Sequence, residues 1–298
     1  MISVVIPFLS GFEDLKVCIA SIKKQRVKVE IIIVNDSSKP LRLKKGVRVI
    51  DNKGTKGAAY SRNIGLKESK NDLVLFVDND VFLQSGCVRR LLDEIEGFEI
   101  VFPKVVYENS VLMHPVGKEE IYPQISACFM IKKSAVEKMD CFFDETYKIY
   151  LEDADFFLRA NIFSLKSLFV KDAVAIHKLK ESYNEMRFYL ENKNLFYGII
   201  KFFGIKKKGV LHPFNLTSVF SNYICALFNF DKFDYSHYNR GLSILTKAEL
   251  LFRKHKKITG RNRLFLLFYI FKAKMWVISN IGFVLRERRK LLFKKQDI

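Results

Sequence analysis

Two aspartates follow a short apolar run in the first third of the chain. Leu73–Val77 is uninterruptedly apolar, and Asp78-Asn79-Asp80 comes directly after it. Such a run predicts a strand that is buried on both faces, as in a mostly parallel sheet. Open α/β sheets bind ligands beyond the carboxyl ends of their strands, where Asp78 and Asp80 are expected. In an extended chain, side chains two residues apart point to the same side.

Two neighbouring carboxylates repel each other unless a cation lies between them. Oxygen ligands of this kind suit Mg²⁺ or Mn²⁺, and these ions commonly bridge to phosphates. The first hypothesis is therefore a metal–diphosphate site at the end of a strand. The alternative is a polar turn that merely ends a core strand.

A second acidic group precedes an apolar pattern of helical spacing. Glu152, Asp153 and Asp155 open this predicted helix. They either present a general base at the helix start or only stabilise its first turn, where acids are favoured by the helix dipole. His177 follows the predicted strand Ala173–Ile176 and is either a ligand or an ordinary histidine.

Strands and helices alternate through the region that contains these groups. Predicted strands are Ile2–Ile6, ended by Pro7, then Glu30–Val34, Val47–Ile50 and Leu73–Val77. Leu15, Ile19 and Ile22 repeat at helical spacing between the first two strands. This alternation predicts an α/β domain with a doubly wound, mostly parallel sheet of the Rossmann-like kind.

Composition limits the class of protein. The 298 residues are 49% hydrophobic, which excludes a disordered chain. Five cysteines without a Cys-x-x-Cys pair favour free thiols in a reducing compartment. The sequence enters a strand pattern directly after Met1, without a signal-peptide pattern, so a cytoplasmic location is expected.

The formal net charge is +19 and is unevenly distributed. Residues 1–205 contain 31 Lys and Arg against 27 Asp and Glu, whereas residues 206–298 contain 20 against 5. This step predicts a domain over 1–205 and a basic, helical region over 206–298. A basic region rich in aromatic residues favours an anionic partner, either lipid or nucleic acid.

Two apolar segments lie in the basic region, Val210–Phe230 and Leu264–Leu285. The second is long enough to span a bilayer, but Lys272 and Lys274 near its middle make that costly. An amphipathic helix lying on an anionic membrane surface is the favoured interpretation. A soluble helical subdomain or an oligomer contact is the alternative.

Several ordered motifs together resemble glycosyltransferase family 2, the inverting transferases of GT-A type. The resemblance runs from Val4 to about Phe203. It rests on the first strand into Pro7, Val34-Asn35-Asp36-Ser37-Ser38, Gly57-Ala58-Ala59, Arg62-Asn63-Ile64-Gly65, Phe76-Val77-Asp78-Asn79-Asp80, Cys128-Phe129-Met130-Ile131, Phe143-Asp144-Glu145, Leu151-Glu152-Asp153-Ala154-Asp155, Leu158-Arg159 and His177. The nearest branch is rhamnosyltransferase-like.

The resemblance implies a role for each matching residue. The donor nucleotide would be bound by Pro7, Phe8, Leu9, Asp36, Arg62, Asp78 and Asn79. Asp80, Asp78 and His177 would hold Mn²⁺ or Mg²⁺. Asp153 would deprotonate the acceptor hydroxyl, with Glu152 beside it.

The implied activity is a metal-assisted, inverting, hexosyltransferase-type transfer. The donor would be a nucleoside-diphosphate sugar and the acceptor a glycan or a lipid-linked molecule, with the enzyme peripheral on the cytosolic face of the cell membrane. Asn35 and Leu151 depart from the usual family pattern, which puts donor and acceptor preference in doubt. Two alternatives remain, a catalytically silent scaffold of the same fold and a basic protein that binds nucleic acid, although no nucleic-acid reading motif is present.

Overall fold

The computed structural model describes residues 1–43, 46–108, 127–139, 142–178, 185–203 and 263–296. The chain divides into two compact units, Met1–Glu181 and Ser182–Ile298. The charge step at residue 206 lies inside the second unit. The sequence analysis predicted a domain boundary between residues 205 and 206. Whether residues 182–205 belong to the catalytic region stays a prediction.

The first unit begins with parallel strands joined by helices. Its elements are β1 (Ile2–Phe8), α1 (Phe12–Lys23), β2 (Val29–Asn35), β3 (Arg48–Asp51), α2 (Ala58–Glu68) and β4 (Leu73–Val77). The strands lie in the order β3-β2-β1-β4, and each pairs in parallel with its neighbour. The predicted alternation of strands and helices is therefore confirmed.

The second half of the unit extends the same sheet. It contains β5 (Val81–Leu83), α3 (Cys87–Glu94), β6 (Ile100–Tyr107), β7 (Cys128–Lys132), α4 (Lys133–Met139), α5 (Glu152–Ile162) and β8 (Ser167–His177). The full order is β3-β2-β1-β4-β7-β6-β8-β5, and β7 runs antiparallel to β4 and β6. The result is the predicted α/β sheet, parallel on one side and mixed on the other.

The central strands are buried on both faces, as the uninterrupted apolar runs predict. Val74, Leu75, Phe76 and Val77 have no exposed surface. Helix α1 buries the face that contains Leu15, Cys18, Ile19 and Ile22. Burial of each such side chain contributes about 1.5–3 kcal/mol relative to exposure.

Strand β1 continues through Pro7 to Phe8, so the prediction that Pro7 ends it is wrong. The N–H of Ile2 donates to the Lys28 carbonyl, which points the even-numbered N–H groups of β1 toward β2. Odd-numbered positions therefore face β4, and that ladder extends only over Ser3–Val5. At Pro7 the missing N–H would point toward β4, but the pairing with β4 has already ended at Val5. No hydrogen bond of the sheet is therefore lost, and a proline is tolerated there.

The second unit is helical in its described part. Helices α6 (Glu185–Phe203), α7 (Arg263–Ser279) and α8 (Ile281–Gln296) are its elements, and the predicted segment Val210–Phe230 lies outside the described residues. Phe196 of α6 packs against Ala273 and Val277 of α7. The Arg288 guanidinium donates to the Phe202 carbonyl at 2.7 Å and so satisfies the carboxyl end of α6.

The predicted continuous helix over Leu264–Leu285 is broken at Asn280. The backbone N–H of Asn280 donates to the carbonyls of Trp276 and Val277, and its side chain also donates to Trp276. A side chain that competes for helix carbonyls in this way favours a turn. Among the described helices, none combines the length and the apolarity that a bilayer crossing requires.

Gly65 on α2 allows the helix to lie directly on β1. An added Cβ at this position would overlap the Val5 side chain. We expect Gly65→Ala to lower the free energy of unfolding by about 1–3 kcal/mol, because overpacking outweighs the better helix propensity of alanine. Gly97→Ala is the control, since a Cβ there meets nothing within 4 Å. Urea unfolding followed by circular dichroism measures both, and equal midpoints would contradict the packing argument.

Candidate functional site

The carboxyl ends of β1, β2 and β4 meet at one edge of the sheet. Phe8 pairs with Asn35, and Val5 pairs with Phe76, so the three parallel strands end side by side. Asp36 and Asp78 follow directly on two of these ends. Residues that are far apart in the sequence therefore meet here, as the strand-end argument predicts.

Asp78, Asp80 and His177 form a cluster suited to a metal ion. One ligand atom from each lies within 4.8 Å of the other two. The Val81 N–H donates to the Asp78 carbonyl at 3.0 Å, which closes a turn at Asp78–Asp80. The segment is not extended, so the predicted reason for the convergence of the two aspartates is wrong, although their carboxylates do converge.

His177 reaches the cluster through the sheet. It lies opposite Val81 in the antiparallel pairing of β5 with β8, and the Lys178 N–H donates to the Asp80 carbonyl at 2.9 Å. Tyr107 packs edge-on against the imidazole, with 5.8 Å between ring centroids. The position of His177 is therefore set by the backbone on one side and by an aromatic ring on the other.

The contacts of His177 fit a metal ligand. Its Nδ1 is 2.8 Å from the Lys178 carbonyl, and a carbonyl only accepts, so Nδ1 bears the hydrogen. In the neutral ring, Nε2 then presents a lone pair toward the Asp80 carboxylate, 3.7 Å away. Two acceptors that face each other at this distance are stabilised by a cation between them. Two carboxylates and one imidazole could hold a divalent metal ion, and the two carboxylates are ligands that suit Mn²⁺ or Mg²⁺.

Asp78 is also held by a cation of the protein. Burial raises the pKa of the Asp78 carboxyl, Arg62 opposes that shift, and Asp80 adds to it. The Arg62 guanidinium donates to Asp78 Oδ1 at 2.7 Å. The Asp78 carboxylate thus lies between the negative charge of Asp80, which raises its pKa, and the buried positive charge of Arg62, which lowers it.

Arg62 connects the cluster of Asp78, Asp80 and His177 to helix α5. Its other terminal nitrogen donates to Glu152 Oε1 at 2.8 Å, and its guanidinium lies over the Phe143 ring at 5.2 Å from the centroid. Only 3% of Arg62 is exposed. The family resemblance placed Arg62 in the donor pocket, with a structural ion pair as an equally favoured alternative. The structure shows a buried ion pair that bridges two carboxylates, and a role toward the donor stays a prediction.

The first turn of α5 presents three acids in different settings. Glu152 is bonded to Arg62, and Asp155 accepts from the Arg159 side chain at 2.7 Å. Asp153 accepts from the backbone N–H of Ala154 at 2.8 Å. Arginine contacts therefore fix the acids on either side of Asp153.

The segment before α5 has an unusual backbone. Lys148, Tyr150 and Leu151 have φ values of 60°, 70° and 64°, in a region that side-chain-bearing residues rarely adopt. Contacts from α2 hold this segment in place, because the Ala59 N–H donates to the Lys148 carbonyl at 3.0 Å. Gly57 permits the approach, since a Cβ there would lie 2.5 Å from the same carbonyl oxygen.

Asp36 closes the loop that leads into α2. Its carboxylate accepts from the backbone N–H groups of Lys56 at 2.7 Å and Gly57 at 2.8 Å, and from the Asn52 side chain at 3.0 Å. The predicted role of Asp36 toward the donor base stays a prediction. The structure gives it a second role, since it shapes the loop at this edge of the sheet.

The remaining predicted donor residues lie at the same edge. Phe8 is buried, whereas Leu9 is 49% exposed. The Asn79 side chain donates to the Ser10 carbonyl at 2.9 Å and so ties the aspartate turn to the loop after β1. The structure therefore brings the end of β1 and the Asp78–Asp80 turn together.

Comparison with known proteins identifies the family. The family model described as glycosyl transferase family 2 matches residues 3–163, more than half of the chain. The chain belongs to glycosyltransferase family 2. The match includes every predicted site residue except His177.

Curated relatives of this family 2 chain match it over part of their length. An uncharacterized glycosyltransferase of Haemophilus influenzae is 34% identical over 32% of this chain and 35% of its own length. Poly(ribitol-phosphate) beta-N-acetylglucosaminyltransferase TarP of Staphylococcus aureus is 27% identical over 56% of this chain and 60% of its own. EpsJ of Bacillus subtilis, an uncharacterized glycosyltransferase, is 25% identical over 54% and 56%. The matches thus span about a third to three fifths of these relatives. Their names do not bear on the rhamnosyltransferase-like branch, which stays a prediction.

A solved structure confirms the fold. S. aureus TarS, residues 1–349, is similar to this chain with a TM-score of 0.53 and 17% identity, over 97% of this chain and 91% of that one. At this identity the likeness concerns the fold alone. The GT-A-type architecture that the family 2 motifs implied is therefore confirmed.

Two positioning contacts were not predicted as site features. The Asn63 side chain donates to the Phe143 carbonyl at 3.0 Å and accepts from the Phe143 N–H at 2.9 Å. The Lys178 side chain reaches Asp14 at 2.7 Å. Asn63 lies in the family 2 motif that begins at Arg62, which was a usable signal. For Lys178 the only signal was its position after His177.

The bridging role of Arg62 predicts a large effect on stability. In Arg62→Met, Asp78 and Glu152 lose a shared buried cation, and we expect the free energy of unfolding to fall by about 3–5 kcal/mol at pH 7. Arg48→Met is the matched control, because Arg48 pairs with Glu68 in an exposed position and such pairs contribute at most about 1 kcal/mol. Chemical denaturation measures both variants. Similar small losses would show that Arg62 is not the main support of the two carboxylates.

Proposed function

We propose that this protein is an inverting, hexosyltransferase-type glycosyltransferase. It moves a sugar from a nucleoside-diphosphate sugar to a hydroxyl of a glycan or a lipid-linked acceptor. The observation that supports this most strongly is the pairing of a metal-type cluster, Asp78, Asp80 and His177, with a helix start that presents Asp153, linked through one buried arginine. The name of TarP, a glycosyltransferase that acts on poly(ribitol phosphate), supports a glycan-type acceptor.

The sheet edge provides the donor side of this proposal. Pro7 and Phe8, the last two residues of β1, and Leu9 after them would line the nucleotide, with Asp36 after the end of β2 toward the base. Asp78, Asp80 and His177 would hold Mn²⁺ or Mg²⁺. A divalent ion in this position would stabilise the negative charge that develops on the departing diphosphate. The turn at Asp78–Asp80 and its bond to Ser10 keep the nucleotide and diphosphate positions at a fixed separation.

Asp153 provides the acceptor side. Its carboxylate takes the proton of the acceptor hydroxyl while the oxygen forms a bond to the anomeric carbon. The bond from that carbon to the diphosphate breaks, and its electron pair leaves with the nucleotide. One displacement of this kind inverts the anomeric carbon and needs no enzyme nucleophile. Glu152, bonded to Arg62, positions the helix start rather than reacting.

A lipid-linked acceptor would place the enzyme at the cytosolic face of the cell membrane as a peripheral protein. The net excess of 15 positive charges in residues 206–298 supports this location. A surface of that charge attracts anionic lipid, at about 1 kcal/mol for each Lys or Arg near the membrane.

Donor binding should depend on a divalent ion and on Asp80. With UDP-, GDP- or dTDP-linked sugars at 100 times Kd, we expect Mn²⁺ or Mg²⁺ to permit a rise in melting temperature of about 5 to 10 °C with one nucleotide. Asp80→Ala should lose this rise, because it removes a ligand of the ion. Asp172→Ala, an exposed aspartate on β8, is the control and should keep it. A rise of equal size in Asp80→Ala would show that Asp80 does not hold the ion. A rise without any divalent ion would show that donor binding does not require one.

Transfer should depend on Asp153 more than donor binding does. In Asp153→Asn we expect kcat to fall about 10²- to 10⁴-fold, because general base catalysis contributes that much. The metal-dependent thermal shift with donor should persist, which separates this variant from Asp80→Ala. Asp93→Asn, on the exposed side of α3, should transfer at the wild-type rate. If Asp153→Asn stays active while Glu152→Gln is inactive, the base is Glu152.

A further inference from the structure

Helix α7 has two faces with opposite surroundings. Ala273 and Val277 are buried against Phe196 of α6. On the other face, large apolar side chains are exposed, at 56% for Phe268, 62% for Phe271, 41% for Met275 and 61% for Ile278. We call these four residues the α7 stripe. The α7 stripe is not needed for the packing of α7 on α6.

The spacing makes the α7 stripe continuous. Its members are separated by 3, 4 and 3 residues, which places them on one side of a helix. With a rise of 1.5 Å per residue, the stripe is about 15 Å long. A contiguous exposed apolar surface of this kind marks a site of contact with another molecule or with a membrane.

Lysines lie on both sides of the α7 stripe. Lys272 follows Phe271, and Lys274 precedes Met275, so successive steps of about 100° place them at opposite edges. Both side chains are exposed, and their ammonium groups also lie over aromatic rings of α6, Tyr189 at 5.1 Å and Phe196 at 5.7 Å. The stripe is therefore an apolar strip between two cations.

We propose that the α7 stripe inserts into the interface of an anionic lipid surface, with Lys272 and Lys274 at the level of the lipid phosphates. An apolar row bordered by lysines is the pattern of helices that lie in the membrane interface. A soluble polyanion would engage the lysines but leave the apolar row in water. A second copy docked symmetrically on the stripe would bring like charges from Lys272 and Lys274 together. The inference rests on the membrane location proposed above and is independent of sugar transfer.

Flotation with lipid vesicles tests the inference on the full chain. Vesicles of phosphatidylcholine alone are compared with vesicles that contain about 30% phosphatidylglycerol, at low and at physiological salt. We expect binding only to the anionic vesicles. Phe271→Ser with Ile278→Ser should weaken it at least about tenfold, because the buried apolar area is lost. Neutralising Lys272 or Lys274 with glutamine should each weaken it about fivefold.

The matched control replaces exposed apolar residues elsewhere. Val17→Ser with Met186→Ser alters side chains that are 52% and 58% exposed on α1 and α6, and should bind vesicles like the wild type. Circular dichroism verifies the fold of each variant. If the double stripe variant does not fold, the two lysine variants decide alone, since wild-type binding in both would overturn the proposal.

Three other results would also overturn it. These are unchanged vesicle binding in the folded stripe variant, equal binding to neutral and anionic vesicles, and a wild-type dimer in light scattering that the stripe variant dissociates. The last result would make a second copy the occupant. The donor-dependent thermal shift, measured without lipid, shows separately whether the proposed transferase site is present.

Discussion

The buried guanidinium of Arg62 is the interaction on which the rest of the site depends. It lies between Asp78, which belongs to the proposed metal site, and Glu152, which opens the helix of the proposed base. Without it, two carboxylates would be left in a poorly hydrated region with no shared counter-charge, an arrangement that costs several kcal/mol. The Arg62 guanidinium therefore stabilises both buried carboxylates. It also fixes the distance between Asp78 and Glu152.

Helix α2 is the element that makes this arrangement possible. Gly65 lets it lie on β1, Gly57 lets its first turn approach Lys148, and Asn63 clamps Phe143. These contacts are on one helix, so α2 connects the central sheet to the segment that leads into α5. Two polar residues of α2, Arg62 and Asn63, bond to other segments of the chain rather than only to water.

The sequence predicts what depends on local pattern. Uninterrupted apolar runs identify β1, β2 and β4, and the helical spacing of Leu15, Ile19 and Ile22 identifies α1. The resemblance to family 2 likewise names the residues that gather at the sheet edge. Hydrophobic periodicity depends only on a short stretch of sequence, so it can be recognised without knowing the tertiary contacts.

Features that depend on distant partners were missed or explained wrongly. Arg62 and Glu152 are 90 positions apart, and no local signal relates them. The turn at Asp78–Asp80 and the passage of β1 through Pro7 depend on where neighbouring ladders end. Asn280 divides the last predicted helix through side-chain bonds that compete with helical ones. Tertiary hydrogen bonding overrides the local expectation at Arg62, whereas at Asn280 the competing bond is local, to the Trp276 carbonyl four residues earlier.

The strained backbone at Lys148, Tyr150 and Leu151 bears on how the proposed acceptor would bind, because these residues lead directly into α5. Each residue in this conformation costs about 1–3 kcal/mol, which the folding of the whole domain must offset. If Asp153 is the base as proposed, its side chain is already ordered in the folded protein, and binding of an acceptor would not need to order it. A site that is ordered in advance binds its ligand more tightly, because little conformational entropy is lost on binding.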